Sequence, residues 1–145
     1  MALMAITRAV SPAIAGCELS FVEREPIDAL LAQKQHDAYV LALAKLDCRV
    51  LELPAINDMP DSVFVEDVAV VVDEVAVMTR PGAASRQREG ENIARVLAQY
   101  RPLLHIEAPG TLEGGDVLRV GRTLYVGQSA RSNSEGIGQL RQLLA

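Results

Sequence analysis

Two aspartates 49 residues apart, Asp67 and Asp116, each lead into a stretch rich in valine and other β-formers. The first stretch is closed by Pro81-Gly82 and followed by Arg86 and a helical block; the second is followed by Arg131 and another. Acid, hairpin, arginine and helix thus recur in the same order. Such a unit cannot bury its apolar face alone and must stack on its neighbours, so the repeat predicts a propeller or solenoid built from α/β units. Repeat-related acids and arginines would then point towards a shared axis.

Around this repeat, three β-like blocks alternate with three helical ones. The spacing predicts a strand over Ala5–Val10, ended by Ser11-Pro12. Pro26 suits a first helical turn, and Leu30, Leu31, Ala38, Leu41 and Ala42 recur at helical spacing, which predicts one amphipathic helix over Ile27–Leu46. A strand follows over Cys48–Pro54. The valine-rich block from Ser62 to Thr79 predicts a hairpin turning at Asp73-Glu74, a pair that tight turns do not favour. Glu66 and Asp67, adjacent on that strand, would point to opposite faces. Ser85 is the expected N-cap of a helix reaching Tyr100, ahead of Pro102. Leu103–Glu107 is expected as a strand. Asp116–Gln128 is expected as a hairpin turning at Gly121-Arg122, and Ser132-Asn133-Ser134 as the cap of a last helix running to Ala145. No cap and no strand follow that helix, so its apolar face and a sheet edge are expected to be uncovered. The chain reads as a fragment, or as half of something another chain completes.

At 145 residues, 50% hydrophobic and 23% charged, the sequence has one domain's length and a real core. Net charge is −5, with only three Tyr and two Phe, which argues against nucleic acid as a partner. Apolar runs are broken by Asp67, Asp73 and Glu74, too short for a membrane span, and residues 1–10 make a poor signal peptide. The expected location is the cytoplasm. Two cysteines rule out a disulfide-built module.

Candidate chemistry falls in three places. Asp67 precedes five apolar residues, so its carboxylate needs a partner, and a cationic ligand would serve. Glu113-Gly-Gly-Asp116 sets acids beside glycines that permit φ > 0 and close approach of backbone to a ligand. Arg86 and Arg131 stand near helix starts, where guanidinium and helix terminus together suit a carboxylate. Acids for a cation and arginines for a carboxylate describe a site for arginine or a derivative. A nucleophile is harder to place. Cys17 lies in a loop and Cys48 in a strand; His36 is expected on a helix surface and His105 in an edge strand. No Cys–His pair and no metal-ligand spacing can be assigned.

Four motifs, in order, carry a resemblance: Asp61-Ser-Val-Phe-Val-Glu66-Asp67, Thr79-Arg-Pro-Gly-Ala83 with Ser85-Arg86, Ala108-Pro-Gly-Thr-Leu-Glu113-Gly-Gly-Asp116, and Tyr125-Val-Gly-Gln-Ser-Ala-Arg131-Ser-Asn133. Together they resemble the dimethylarginine dimethylaminohydrolases. The resemblance implies a pentein α/β propeller of ββαβ units, about three of its five present and the last incomplete. It implies a single partial domain over 1–145, with repeat units roughly 1–60, 61–109 and 110–145. By the same resemblance Glu113 and Asp67 hold the substrate guanidinium, Asp61 and Glu66 complete the acidic wall, and Arg86 and Arg131 take the α-carboxylate. A backbone contact to the amino-acid end falls loosely at Cys17. The family's catalytic histidine and cysteine are expected beyond Ala145, and neither a metal nor a cofactor is needed. Arginine deiminase chemistry and a non-catalytic arginine-binding module are the alternatives.

The uncovered edge predicts self-association, driven by Ile137, Leu140, Leu143 and Leu144, each worth roughly 1.5–3 kcal/mol when fully buried. Light scattering at tens of micromolar is expected to show dimers or larger species. A clean monomer would contradict it.

Overall fold

β1 (Met4–Arg8) and β2 (Arg49–Leu53) pair in parallel, with Met4 opposite Arg49 and Arg8 opposite Leu53. Parallel neighbours need a crossover, and α1 (Ala29–Lys45) supplies it. This computed structural model describes residues 3–145, in two compact units, Met1–Val65 and Glu66–Ala145.

In the first unit, α1 starts later than Pro26 suggests. The Asp28 carboxylate caps it, accepting from the amides of Leu30 (2.9 Å) and Leu31 (3.1 Å). Its end is set by Asp47, which adopts the left-handed conformation (φ 58°) just past the helix. α1 is amphipathic, but on a different face from the expected one: Ala29, Ala32, His36, Val40 and Leu43 are half-buried, while Leu30, Leu31, Ala38, Leu41 and Ala42 are exposed and no residue is fully buried. Val10, Ile14 and Cys17 form this unit's buried cluster, with Ala29, Ala32 and Val63 packed on it.

In the second unit, β3 (Ala69–Val71) and β4 (Ala76–Met78) form the first hairpin, and β5 (Leu103–His105) joins β4 in parallel after α2 (Gly90–Leu97). The second hairpin is β6 (Val117–Val120) and β7 (Thr123–Val126), turning through Gly121 at φ +62°. The disfavoured Asp73-Glu74 turn has an electrostatic explanation. Arg119 of the second hairpin bonds Asp73 at 2.9 Å, and Arg122 bonds Glu74 at 3.1 Å. These pairs are exposed, so they pin the turn more than they stabilise the fold.

Three expectations are corrected here. Glu66 and Asp67 lie in a 3-10 turn, Val65–Val68, and do not alternate along a strand. Ser85 lies in another, Ala84–Arg86, and α2 begins only at Gly90 after Glu89. The last helix, α3 (Ser134–Leu143), stops two residues short of Ala145, while its cap is as expected: Asn133 accepts from the Gly136 amide at 2.8 Å.

Both repeat aspartates end up alike, in 3-10 turns that immediately precede hairpins; the second turn is Gly114–Asp116. Val70, Val77, Ile106, Leu112 and Leu140 form the buried core beneath, so Leu140 is not on the uncovered face expected of the last helix, where Ile137, Leu143 and Leu144 are half-buried. An isolated bridge from Arg80 to Leu112 ties the two hairpin segments together. Gly136 is required where α3 crosses this layer, because a Cβ there would run into the Thr111 carbonyl. Beside β7 and α3 lies a groove of about 810 Å³, lined by Val72, Val75, Leu124, Leu140 and Leu143 among others. Among the described residues no helix is long and apolar enough to cross a membrane.

Leu112 is fully buried and touches both hairpin segments, so Leu112→Ala is expected to cost about 2–5 kcal/mol in urea unfolding. Leu118→Ala, at an exposed position of β6, should stay within about 0.5 kcal/mol. Equal effects from the two would contradict this placement of the core.

Candidate active site

The 3-10 turn that ends at Arg86 brings the chain back on itself, since the Arg86 amide bonds Ala83 (3.1 Å) and the Glu89 amide bonds Arg86 (3.0 Å). Glu89 thereby lies beside the arginine three residues earlier. The Arg86 side chain is 1% exposed and carries three carboxylates. Its Nε and Nη2 donate to Glu89 Oε2 at 3.1 and 2.9 Å, and Nη1 donates to Asp67 Oδ2 at 3.0 Å and to Glu113 Oε2 at 3.5 Å. Burial alone would depress its pKa, but the bonds to Glu89 and then Asp67 outweigh that and hold it above the ordinary value.

Asp67 is steadied from its other side by the Gly115 amide, which donates to Oδ1 at 3.0 Å. The glycine pair has a different use from the one its sequence suggests. A Cβ on Gly114 would strike the Glu66 carbonyl, and one on Gly115 would sit 2.5 Å from Asp67 Oδ1. The glycines therefore let the loop close on its own acids. Neither is at positive φ, a conformation found here only at Gly121 among the described glycines.

Glu113 is the most exposed of the group to electrostatic conflict. Its side chain is 3% exposed, and Oε2 receives both Arg86 and Arg131, the latter from Nη1 at 3.3 Å. Oε1 is buried with no hydrogen-bond donor. Burial raises its pKa; Arg86 and Arg131 pull it down, Asp67 pushes it up, and the net shift is upward. The carboxylate is thus poised to gain a donor.

The structure brings Asp67, Arg86, Glu113 and Arg131 into one cluster within the second unit. Arg131 is the more open arginine, with 30% of its side chain exposed. Arg86 is not at a helix terminus as expected: it lies in the turn ahead of α2, committed to the acids. The Glu66 side chain is exposed. Cys17 and Asp61 belong to the first unit, where both are buried and adjacent: both Asp61 oxygens accept the Glu18 amide, at 3.2 and 3.0 Å. The Cys17 carbonyl receives Arg24 Nη2 at 2.7 Å.

Among the histidines, His105 is exposed at the end of β5. His36 is not on the helix surface as expected, being 10% exposed with Nε2 3.8 Å from Glu52. Cys48 is half-buried just before β2. Among the described residues no group of three or more His, Cys, Asp or Glu is arranged to hold a metal. Sequence reasoning missed Glu89; its signal is an acid three residues after an arginine, the spacing of neighbours on a helical face.

Residues 54–145 match the family model of arginine deiminase. The chain belongs to the arginine deiminase family. Within reach of it, the N(G),N(G)-dimethylarginine dimethylaminohydrolase of Streptomyces coelicolor is 46% identical over 138 residues, 94% of this chain and 54% of that protein. A dimethylarginine dimethylaminohydrolase adduct with S-methyl-L-thiocitrulline superposes with a TM-score of 0.94 at 39% identity, covering 99% of this chain and 57% of that one. The Pseudomonas aeruginosa enzyme, as a cysteine-to-serine mutant complexed with citrulline, gives 0.94 at 38%, again covering 99% and 57%. The chain spans about half the length of the curated relatives it matches. Its fold is the α/β type of the pentein superfamily, to which these family members belong.

The raised Glu113 pKa carries a signed consequence. A carboxyl that holds its proton more tightly when folded makes stability fall as pH rises from its ordinary value of 4.5 through the raised one. Glu113→Gln cannot ionise, so the stability of wild type relative to this variant should decline across that window and then level off. Urea unfolding from pH 4 to 8 measures it, and a difference that rises with pH would contradict the assignment.

Proposed function

We propose that this chain carries the substrate-binding half of a hydrolase converting N-omega-methylated arginines, dimethylarginine first, to citrulline and the alkylamine. The observation that carries the reading is Glu113: a buried carboxylate with one oxygen shared by two arginines and the other lacking a donor. An unsatisfied buried acceptor is costly, and a planar guanidinium offers paired N–H groups to fill it. Asp67 lies against the same arginine and serves as the second acceptor.

Asp61 and Glu66 complete the acidic wall in this reading, and the backbone at Cys17 meets the amino-acid end of the substrate. Arg131 and Arg86 form the cationic side for the α-carboxylate. Arg131 is the outer group, and Arg86 lends charge while it anchors the acids. The hydrolysis itself is covalent. A cysteine thiolate adds to the guanidinium carbon, the alkylamine leaves with a proton from histidine, and water cleaves the thiouronium to citrulline and regenerates thiol. Carboxylates already in place stabilise the cationic centre throughout. No metal or cofactor takes part. None of Cys17, Cys48, His36 and His105 fills the nucleophile and acid roles in this reading, so the 145-residue chain by itself is expected to release no citrulline; the reading takes it as a self-associating cytoplasmic protein. Its residues form a partial propeller domain in repeat units roughly 1–60, 61–109 and 110–145.

A second reading, arginine deiminase-like chemistry, is favoured by the family match over residues 54–145. Calorimetry on the chain separates the two. Dimethylarginine is expected to bind in preference to arginine, with affinity falling about tenfold or more in Glu113→Gln and Asp67→Asn. Preference for arginine supports the deiminase reading, and no binding of either ligand overturns both.

A further inference from the structure

Asp116 occupies the same place in its repeat as Asp67, the turn before a hairpin, but its bonds are of another kind. Its Oδ2 accepts the Ser132 hydroxyl at 2.6 Å and the Ser129 hydroxyl at 2.7 Å. Hydrogen bonds to an ionised oxygen at these distances are the short, strong kind. Each serine has a single hydroxyl proton, and the carboxylate takes both. The serine oxygens are therefore left facing the backbone as acceptors. Ser132 Oγ receives the Glu113 amide at 3.0 Å, while Ser129 Oγ receives the amides of Arg131 at 3.0 Å and Ser132 at 3.2 Å. Asp116 is held in turn by its own backbone, donating to the Glu113 carbonyl (3.1 Å) and accepting from the Gly127 amide (2.8 Å).

One carboxylate oxygen thus orients two hydroxyls, and through them the backbones of the two residues whose side chains meet at 3.3 Å, Glu113 and Arg131. We propose that Asp116 is a positioning residue for the site, setting Glu113 through Ser132 and Arg131 through Ser129. It makes no contact with the reacting atoms in this scheme. Its consequence for ligand rests on Glu113 being the guanidinium acceptor; the clamp itself does not. The geometry also accounts for the Ser-Ala-Arg-Ser spacing, because serines at 129 and 132 place hydroxyls on both sides of Arg131.

The two branches can be cut separately. In the intact 145-residue chain, amide exchange and the carboxyl titration of ¹³C-labelled Glu113 are measured by NMR for Asp116→Asn, Ser129→Ala and Ser132→Ala. Ser132→Ala should speed exchange at the Glu113 amide about tenfold and move the Glu113 titration towards the ordinary glutamate range, sparing the Arg131 amide. Ser129→Ala should speed exchange at Arg131 and leave the Glu113 titration in place. Asp116→Asn should do both. A turn of merely structural importance would leave the titration unmoved in all three, and that result overturns the proposal. So does a Ser129→Ala change that alters Glu113 as strongly as Ser132→Ala does. If Asp116→Asn fails to fold, the serine variants decide alone. Dimethylarginine is titrated alongside: loss of affinity in Ser132→Ala supports the clamp's role in the site. Failure of the wild-type chain to bind would refute the functional reading, with the exchange and titration results still deciding the clamp.

Discussion

A guanidinium taken out of water is the constraint on which the second unit's polar structure depends. Arg86 is almost fully buried, and an uncompensated charge there would be prohibitively costly. Its compensation comes from three separate places in the sequence: Asp67 in the turn before the first hairpin, Glu89 at the entry to α2, and Glu113 before the second turn. Each segment must be held in register for the arginine to be satisfied. The arrangement leaves a deliberate imbalance, because Glu89 and Asp67 take the shorter bonds and Glu113 receives the longer one. Glu113 is therefore buried, incompletely paired and shifted upward, while Arg86 stays firmly charged.

The repeat explains how one kind of local structure serves two ends. In both copies an aspartate sits in a 3-10 turn that feeds a hairpin. In the first it meets a guanidinium, and in the second it meets two hydroxyls. The first device places charge and the second places backbone. Gly114 and Gly115 let the two copies approach, since any side chain there would collide with Glu66 or Asp67. The pairs from Asp73 to Arg119 and from Glu74 to Arg122 repeat the contact at the far ends of the hairpins.

Much of this was legible in the sequence, because hairpins, glycine turns and the Asn133 cap obey local rules. Asp67, Arg86 and Glu113 were each legible as site residues, but as partners of a ligand's cation or carboxylate; that they pair with one another is set by the tertiary structure. What escaped was set by tertiary contacts. Ser85 has the chemistry of an N-cap, but Arg86, drawn in by its acids, keeps residues 84–86 in a tight turn and delays α2 to Gly90. Glu89 is an acid like any other in the sequence, and only the turn at residues 84–86 sets it against Arg86. Leu30, Leu31 and Leu41 of α1 follow a helical period yet stay exposed in this unit, since periodicity reports a face and not what covers it. The glycine pair suggested a ligand cradle and instead accommodates the protein's own carboxylate and carbonyl.

The central claim is that Glu113 accepts a guanidinium as a carboxylate, and the proton count on binding tests it most directly. Dimethylarginine binding is measured by calorimetry in buffers of different ionisation enthalpy, between pH 4.5 and neutrality, for wild type and Glu113→Gln. The account predicts proton release from the wild type, because a bound cation favours the ionised form of a carboxyl whose pKa burial has raised, and no release from the variant. Binding with no proton release, or equal release from both proteins, would contradict it.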